Sequence, residues 1–322
     1  MLGSALAILG VLVAMFAAVA VKDVLIAKKK KIRYNVKNCL VSYGMLMPAV
    51  ALAFIFVLLP IIYSLGYAFT DFYMARPNDM KFVGLDQFEY IMKSILEKGD
   101  MYHAIRNTSI FVVGVVPLQI GLALGLALFV NSPKPFAGFF KICYFAPVVI
   151  SLTVTSFLWE EILSASESGL LNTILKVFGQ GPRDYLREKP MQWIVVVSAW
   201  QGCGYQMLIF LSGLTNIRKE LYEAASLDGA NVFDKFLHIT CPGLRSTFLF
   251  VVITVFVGAC RVLIQPKLMI GYQSNSITLS YYMYEQGKKY MMIGYSSAVA
   301  LLMTIVMGAI TLLQRRLLRE KD

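Results

Sequence analysis

The residues of this chain best suited to recognition chemistry are few, and they sit in apolar company. Trp200-Gln201-Gly202-Cys203-Gly204-Tyr205-Gln206 interrupts a hydrophobic stretch: two glycines open a surface, and a Gln and a Tyr supply an amide and a hydroxyl beside an aromatic face. Polar groups inside an apolar helix are costly and therefore informative. Amides and a hydroxyl both donate and accept, and aromatic rings offer flat apolar faces. That set suits a sugar, whose hydroxyls need partners and whose ring faces pack on aromatics. The same residues also suit plain interhelical packing with one hydrogen bond. Arg261 is the second anomaly, some fourteen residues into another apolar stretch. It either faces a water-filled cavity, where it would bind a carboxylate, a phosphate or a sugar hydroxyl, or serves as an ion-pair or interface anchor. Gln265 follows one turn later.

Catalysis finds little material. The chain has two histidines, His103 and His238, far apart in sequence. Its five cysteines (Cys39, Cys143, Cys203, Cys241, Cys260) form no Cys-x-x-Cys pair and read as small apolar fillers. No G-x-x-x-x-G-K-(S/T) occurs, so the chain is not expected to hydrolyse a nucleotide itself. No metal site and no bound cofactor are expected.

The elements that position these residues are long apolar runs. Hydrophobic residues make up 58% of the 322, too many for a soluble domain. Seven runs approach the ~20 residues that cross a bilayer: 2–21, 44–65, 110–130, 142–159, 193–213, 247–266 and 293–313. In lipid each must satisfy its own backbone, so all are read as helices. The expected fold class is an all-α integral membrane bundle of about seven transmembrane helices. The formal net charge of +11 is placed asymmetrically. Segment 22–39 carries seven Lys or Arg against one acid, loop 131–141 adds Lys134 and Lys141, and the tail adds Arg315, Arg316, Arg319 and Lys321. With seven spans these segments share one side, which the positive-inside rule makes cytoplasmic. Loop 267–290 is a mild exception through Lys267, Lys288 and Lys289. The basic residues thus set topology rather than bind nucleic acid. Ala18-Val19-Ala20 looks like a signal-peptidase site, yet the basic residues follow the apolar run instead of preceding it. The first helix is therefore expected to be retained, with the N-terminus outside and the C-terminus cytoplasmic.

Between the fifth and sixth runs lies a polar island, 215–245, on the cytoplasmic side. Ile217 to Leu227 are mostly good helix formers, with Asn216 as a plausible N-cap. Gly229 suits the left-handed conformation that ends a helix, and Asp228 or Asn231 suits the cap of the next. Val232, Phe233, Phe236, Leu237 and Thr240 give that second helix an apolar stripe, and Pro242 is expected to stop it. Ala224 and Ala225, beside Glu223, leave a surface that another backbone can approach closely. The hairpin reads either as an interfacial amphipathic turn or as a knob for a partner's cleft.

The island, Glu223-Ala224-Ala225-Ser226-Leu227-Asp228-Gly229-Ala230 and then Ile239 and Pro242, resembles the E-A-A-x-x-D-G-A loop of ABC importer permeases. Similarity to the carbohydrate-uptake type continues in order along the chain: Pro60-Ile61-Ile62-Tyr63-Ser64 with Phe69-Thr70-Asp71, Phe82-Val83-Gly84-Leu85-Asp86, Arg106-Asn107-Thr108, Gly169-Leu170-Leu171-Asn172 and Leu313-Gln314-Arg315-Arg316. Trp200, Gly202 and Tyr205 resemble the W-x-G-x-x-Y segment that lines the sugar cavity in the larger membrane subunit of maltose-type transporters. Two departures stand out: Gly271-Tyr272-Gln273-Ser274 where the family often has G-G-G-P, and Cys241-Pro242 where it has L-P.

The resemblance implies a six-helix permease core with one extra N-terminal helix. Residues 1–39 would be that helix and a basic linker, and 40–322 the permease domain. Glu223, Ala224, Ala225, Asp228, Gly229 and Ala230 would dock an ATPase; Gln201, Gly202, Tyr205, Arg261 and Gln265 would bind substrate. The implied partners are a second permease subunit, two ABC ATPases that carry the ATP and magnesium, an extracellular or periplasmic solute-binding protein, a sugar and the lipid bilayer of a bacterial cell membrane. The rival reading is an ion-coupled secondary transporter, which calls for buried acids and paired broken helices. A variant of the first reading replaces the neutral glycoside by glycerol 3-phosphate or an acidic sugar.

Overall fold

The computed structural model describes residues 36–131, 136–166 and 169–318. The expected first span, 2–21, lies outside these residues, as do most of the basic linker and the end of the tail. All the regular elements of the described residues are helical; extended pairing is limited to two isolated bridges. The chain divides into two units at Gly66/Tyr67.

The described part of the first unit is one long apolar helix. It runs as α1 (Val36–Ala53), a wide π turn (Phe54–Leu58) and α2 (Leu59–Tyr67). Pro60 accounts for the turn. Proline has no N–H and its ring crowds the preceding turn, so the helix widens just before it, and the Leu59 N–H bonds Phe54 O, five residues back.

In the second unit two long helices form the axis: α4 (Asp100–Asn131) and α9 (Pro190–Thr215), packed along much of their length. Small residues let them approach. A Cβ on Gly114 would press on the Val195 side chain at 3.1 Å, and one on Gly202 would overlap the Gln119 amide. Between them lie Phe111, Val115, Ile120, Ala123 and Ala127 from α4, with Ile194, Ala199, Met207 and Phe210 from α9. Such contacts replace the hydrophobic effect, which supplies little drive inside lipid. Gly121 and Gly125 form a G-x-x-x-G that suits close helix approach, but among the described residues a Cβ on either would meet nothing within 4 Å.

Two of the expected spans are broken. The run 142–159 is not one rod but α5 (Ala137–Val149) and α6 (Leu152–Ile162), bent by 97°. Ile150 is extended, and Ser151 caps α6 by accepting from the Thr153 N–H at 3.3 Å. The run 247–266 divides into α12 (Arg245–Cys260) and α13 (Ile264–Met269), with Arg261 to Leu263 non-helical. The carbonyls freed there are claimed: Thr278 Oγ1 donates to Val262 O at 2.7 Å and Ser280 Oγ to Cys260 O at 3.2 Å. Five helices are long and apolar enough to cross a membrane, and six if the bent pair is one span.

The remaining helices are α3 (Asp86–Leu96), α7 (Leu170–Val177), α8 (Tyr185–Glu188), α10 (Lys219–Leu227), α11 (Val232–Lys235), α14 (Leu279–Lys288) and α15 (Ile293–Leu318). The stretch 267–290, read as a loop, is therefore largely helical. It is fastened to the start of α4 by the Arg-Asn-Thr residues. Asn107 Nδ2 donates to Ser274 O and Ile277 O, and Thr108 Oγ1 accepts from the Leu279 N–H. Tyr272 donates to Asp100 Oδ2 at 2.9 Å; burial first, and that carboxylate second, push its hydroxyl above the usual phenol range. The Phe-Thr-Asp and Phe-Val-Gly segments pair with each other, Thr70 bridging Phe82 and Asp71 accepting from the Lys81 N–H. Asn172, fully buried, gathers the loop between α6 and α8: its amide donates to Ser164 O, Ser166 O and Arg183 O and accepts from the Arg183 N–H. Replacing Asn172 by Ala strands several of these groups, at about 1–3 kcal/mol for each that stays buried. Asn172→Ala is expected to lower the thermal midpoint of the detergent-solubilised protein by several degrees, measured by intrinsic fluorescence, while Val177→Ala, at a side chain 82% exposed on the same helix, leaves it nearly unchanged.

Candidate functional site

The polar island folds into a hairpin at the end of α9. Asn216 does not cap the next helix; it closes α9, its N–H bonding Gly213 O and Leu214 O. α10 starts two residues beyond the expected helix, at Lys219, with Arg218 extended at its N-cap. Gly229 takes φ +80°, the left-handed turn its type anticipates. Asn231 caps α11, accepting from the Phe233 and Asp234 N–H groups, and Asp234 accepts in return from the Asn231 N–H. Pro242 does not stop the helix. A π turn over Phe236–Thr240 precedes it, as one precedes Pro60, and the chain continues through Cys241–Gly243 into α12.

Two contacts hold the hairpin's arms together: a hydrogen bond between the Tyr222 and Thr240 hydroxyls at 2.9 Å, and Lys235 Nζ donating to Ser226 Oγ at 2.8 Å. At its base a Cβ on Gly213 would overlap Thr247 and Leu244, and one on Gly243 would overlap Ile217, so glycine sets the close approach of α9 and α12. The tip turns its apolar residues outward. Leu227 is 91% exposed, Val232 85% and Phe233 66%. The expected apolar stripe is thus split, Val232 and Phe233 outside and Phe236 and Thr240 against the arms. Glu223 and Ala224 are exposed beside them, and Ala225 and Ala230 are half-buried.

The second feature is a cavity of about 310 Å³ at the middle of α9. Its polar lining comes from Gln119, Ser198, Gln201, Gln206, Thr254, Arg261 and Gln265, and its apolar lining from residues such as Phe111, Val115, Leu152 and Val262. All four glutamines are buried. Gln119 Nε2 donates to Gln206 Oε1 at 2.9 Å, and Gly202 leaves the space this amide occupies. A second chain runs from Ser198 Oγ to Gln265 Oε1 (2.8 Å), from Gln265 Nε2 to Gln201 Oε1 (3.4 Å), and from Gln201 Nε2 to Ile150 O (3.1 Å). The two broken spans therefore meet here: the Gln201 amide that holds the Ile150 carbonyl also accepts from Gln265, on the short helix beyond the other break. Arg261, at the break after α12, is the one charged residue of the lining, and it is exposed.

Residues 120–319, more than half of the chain, match the family of binding-protein-dependent transport system inner membrane components. The chain belongs to that family. The arabinooligosaccharides transport system permease protein AraP of Bacillus subtilis is 32% identical over 278 residues, covering 84% of this chain and 86% of AraP. The lactose transport system permease protein LacF of Rhizobium radiobacter is 29% identical, covering 85% and 92%. In fold the permease is similar to a chain of a bacterial ABC transporter involved in import of the acidic polysaccharide alginate, with a TM-score of 0.76 over 88% of this chain and 96% of that one, at 21% identity. This permease is thus a multi-pass membrane protein.

The structure gathers four of the five expected substrate residues, Gln201, Gly202, Arg261 and Gln265, at one cavity. Tyr205 is apart: it is 51% exposed and does not line the cavity, although at 100° per residue it shares a face of α9 with Ser198 and Gln201. Trp200 points elsewhere too, its ring edge-to-face on Trp159 at 5.5 Å. Gln119, Gln206, Ser198 and Thr254 escaped the sequence reading as lining residues. Gln119 sits alone in an apolar run, and that solitude was the one available signal. In this permease Gly202→Ala is expected to displace Gln119 and break its bond to Gln206, lowering the thermal midpoint in detergent. Gly202→Ala combined with Gln119→Ala should recover most of the loss, and additive losses would show that the two side chains do not compete for that space.

Proposed function

We propose that this chain is one permease subunit of an ATP-driven importer that carries an oligosaccharide or glycoside into the cell. The observation that carries the proposal is mechanical: both helices that leave the hairpin run to the cavity. α9 leads from Thr215 back to Gln206 in nine residues, about 14 Å of rigid helix, and α12 leads from Arg245 to Arg261. Glycine-mediated contacts at Gly213 and Gly243 bind the two at their base. A push on the hairpin therefore acts on both walls of the glutamine-lined site.

On this reading a second permease, two ATPases that bind the ATP and magnesium, and a solute-binding protein outside the membrane complete the machine. The exposed tip, Leu227, Val232 and Phe233 around Gly229, with Glu223 and Ala224 beside it, supports docking into an ATPase cleft, since large apolar side chains clustered on a water-facing turn call for a partner. A structure of the alginate transporter includes an alginate pentasaccharide-bound periplasmic protein, which supports a binding-protein partner. Closure of the ATPases would move the hairpins, and the site would open alternately to each side as its affinity changes between states. The basic loops and tail put the hairpin and C-terminus in the cytoplasm of a bacterial cell. Amides that donate and accept, in a cavity with no Asp or Glu in its lining, support a sugar over an ion-coupled cargo. Relatives named for arabinooligosaccharides, lactose and diacetylchitobiose support the same class. Arg261 favours one variant, an acidic sugar or a phosphorylated polyol, which a guanidinium pairs with directly.

Gentle purification from native membranes is expected to bring down an ATPase and a second permease in stoichiometric amounts; a chain that purifies alone with ATP-independent uptake would overturn the proposal. Gly229→Val forces a β-branched residue into the left-handed region, at roughly 1–2 kcal/mol. ATPase retention on the purified complex should fall several-fold while membrane insertion persists. Gln201→Leu should abolish uptake of the cognate saccharide and leave ATPase retention intact. Arg261→Gln should lower uptake of an anionic cargo far more than that of a neutral one.

A further inference from the structure

The stretch 267–290 drew attention in the sequence for its lysines, and the structure gives two of them one target. Glu285, on α14, is only 7% exposed. A carboxylate buried to that degree needs a cation and hydrogen bonds nearby. Lys267 Nζ lies 4.0 Å from its Oε1 and Lys289 Nζ 3.8 Å from its Oε2. The two lysines differ. Lys289 is on the same helical segment, four residues on, and its side chain is largely exposed, so its attraction is screened. Lys267 belongs to α13, is about half as exposed, and sits over the ring of Tyr284 with Nζ 3.9 Å from the centroid. A carboxylate and an aromatic face, neighbours in sequence on α14, thus hold one ammonium group from α13.

What α13 carries makes that grip consequential. It is six residues long, preceded by the non-helical Arg261–Leu263 and followed by the irregular stretch 270–278. Gln265, two residues before Lys267, bonds both Ser198 and Gln201, and Ile264 lines the cavity beside it. The short helix also packs on α6, beyond the other broken span. A segment bounded by two breaks has no helical continuity to fix its position, so side-chain ties must do so. We propose that Glu285 is a positioning residue of the cavity: through Lys267 it clamps α13 to α14 and so sets where Gln265 stands against Ser198 and Gln201. The proposal rests on the cavity as the substrate site, but the clamp itself is measurable without any substrate.

A cysteine placed at Ile264 reports the position of α13. Its rate of modification by sulfonatoethyl methanethiosulfonate, a membrane-impermeant anion, is measured in sealed membrane vesicles, with the parent chain's own cysteines subtracted. Lys267→Met, which keeps the aliphatic stem and removes the charge, and Glu285→Gln should each change that rate by roughly five- to tenfold. Lys267→Arg should retain the native rate, because it keeps the cation and the ring contact. Lys289→Met should also retain it, since its ion pair lies within one helical segment and its ring contacts, to Tyr290 and at 6.0 Å to Tyr272, do not reach α13. Each variant is first checked for a single symmetric peak on size exclusion in detergent. If Glu285→Gln fails that check, the three lysine variants decide the matter, because Lys267 is partly exposed. A native rate in Lys267→Met, or an equal change in Lys289→Met, would overturn the clamp. The label needs neither sugar nor ATP, so this result and the identity of the cargo fail separately.

Discussion

Inside a bilayer a backbone carbonyl without a partner costs several kcal/mol, and this chain breaks two of its spans there. Everything at the cavity follows from how those debts are met. The break at Ile150 exposes a carbonyl that Gln201 takes, and the break at Arg261–Leu263 exposes carbonyls that Thr278 and Ser280 take. Gln201 cannot serve Ile150 without bringing its own oxygen to Gln265, which in turn holds Ser198. Gln201 therefore both satisfies a break and lines the space between the two breaks, while Thr278 and Ser280 secure the second break from outside the cavity. A cavity arises where two helices stop, because no continuous rod fills the volume.

Glycine does the complementary work at close range. Gly202 makes room for an amide, while Gly204 admits the backbone of Tyr144 on α5. Gly213 and Gly243 seat α9 and α12 against each other at the hairpin. In each case the missing Cβ decides a distance, which in a lipid environment replaces hydrophobic drive as the source of helix contact. The result is one stiff frame in which the hairpin, α9, α12 and the cavity walls are mechanically continuous. The family motifs along the chain mostly maintain this frame: Asn107, Thr108, Asp71 and Asn172 hold backbone together, and none of them lines the glutamine cavity. Their recurrence in order reflects a shared scaffold more than a shared cargo.

Charge is used sparingly, at the edges. Among the described residues the cavity lining has four glutamines and a single arginine, so it offers hydrogen-bonding groups and one fixed cation beside a break. Glu285, the one buried carboxylate among the described residues, lies away from this lining and engages two lysines. That separation fits a path for neutral or weakly anionic solutes and argues against proton or sodium coupling through buried acids.

The sequence by itself determined the helical membrane class, the place of the apolar runs among the described residues, the Gly229 turn and the family, although the helix holding 110–130 starts ten residues earlier, at Asp100. Each of these depends on composition, period or local backbone preference, which neighbours in the chain already encode. It misjudged Asn216 and Pro242, because a cap and a proline have more than one local solution and the surrounding packing selects among them. It also drew 142–159 and 247–266 as rods, since apolar runs give no sign of a break whose carbonyls are satisfied from distant helices. Only the tertiary structure decided that Gln119, Gln206 and Ser198 join Gln201 and Gln265, that Tyr205 stands apart, and that Lys267 meets Glu285. Those contacts join residues up to 87 positions apart, and hydrogen-bond distance across that separation is a property of packing, which no local pattern carries.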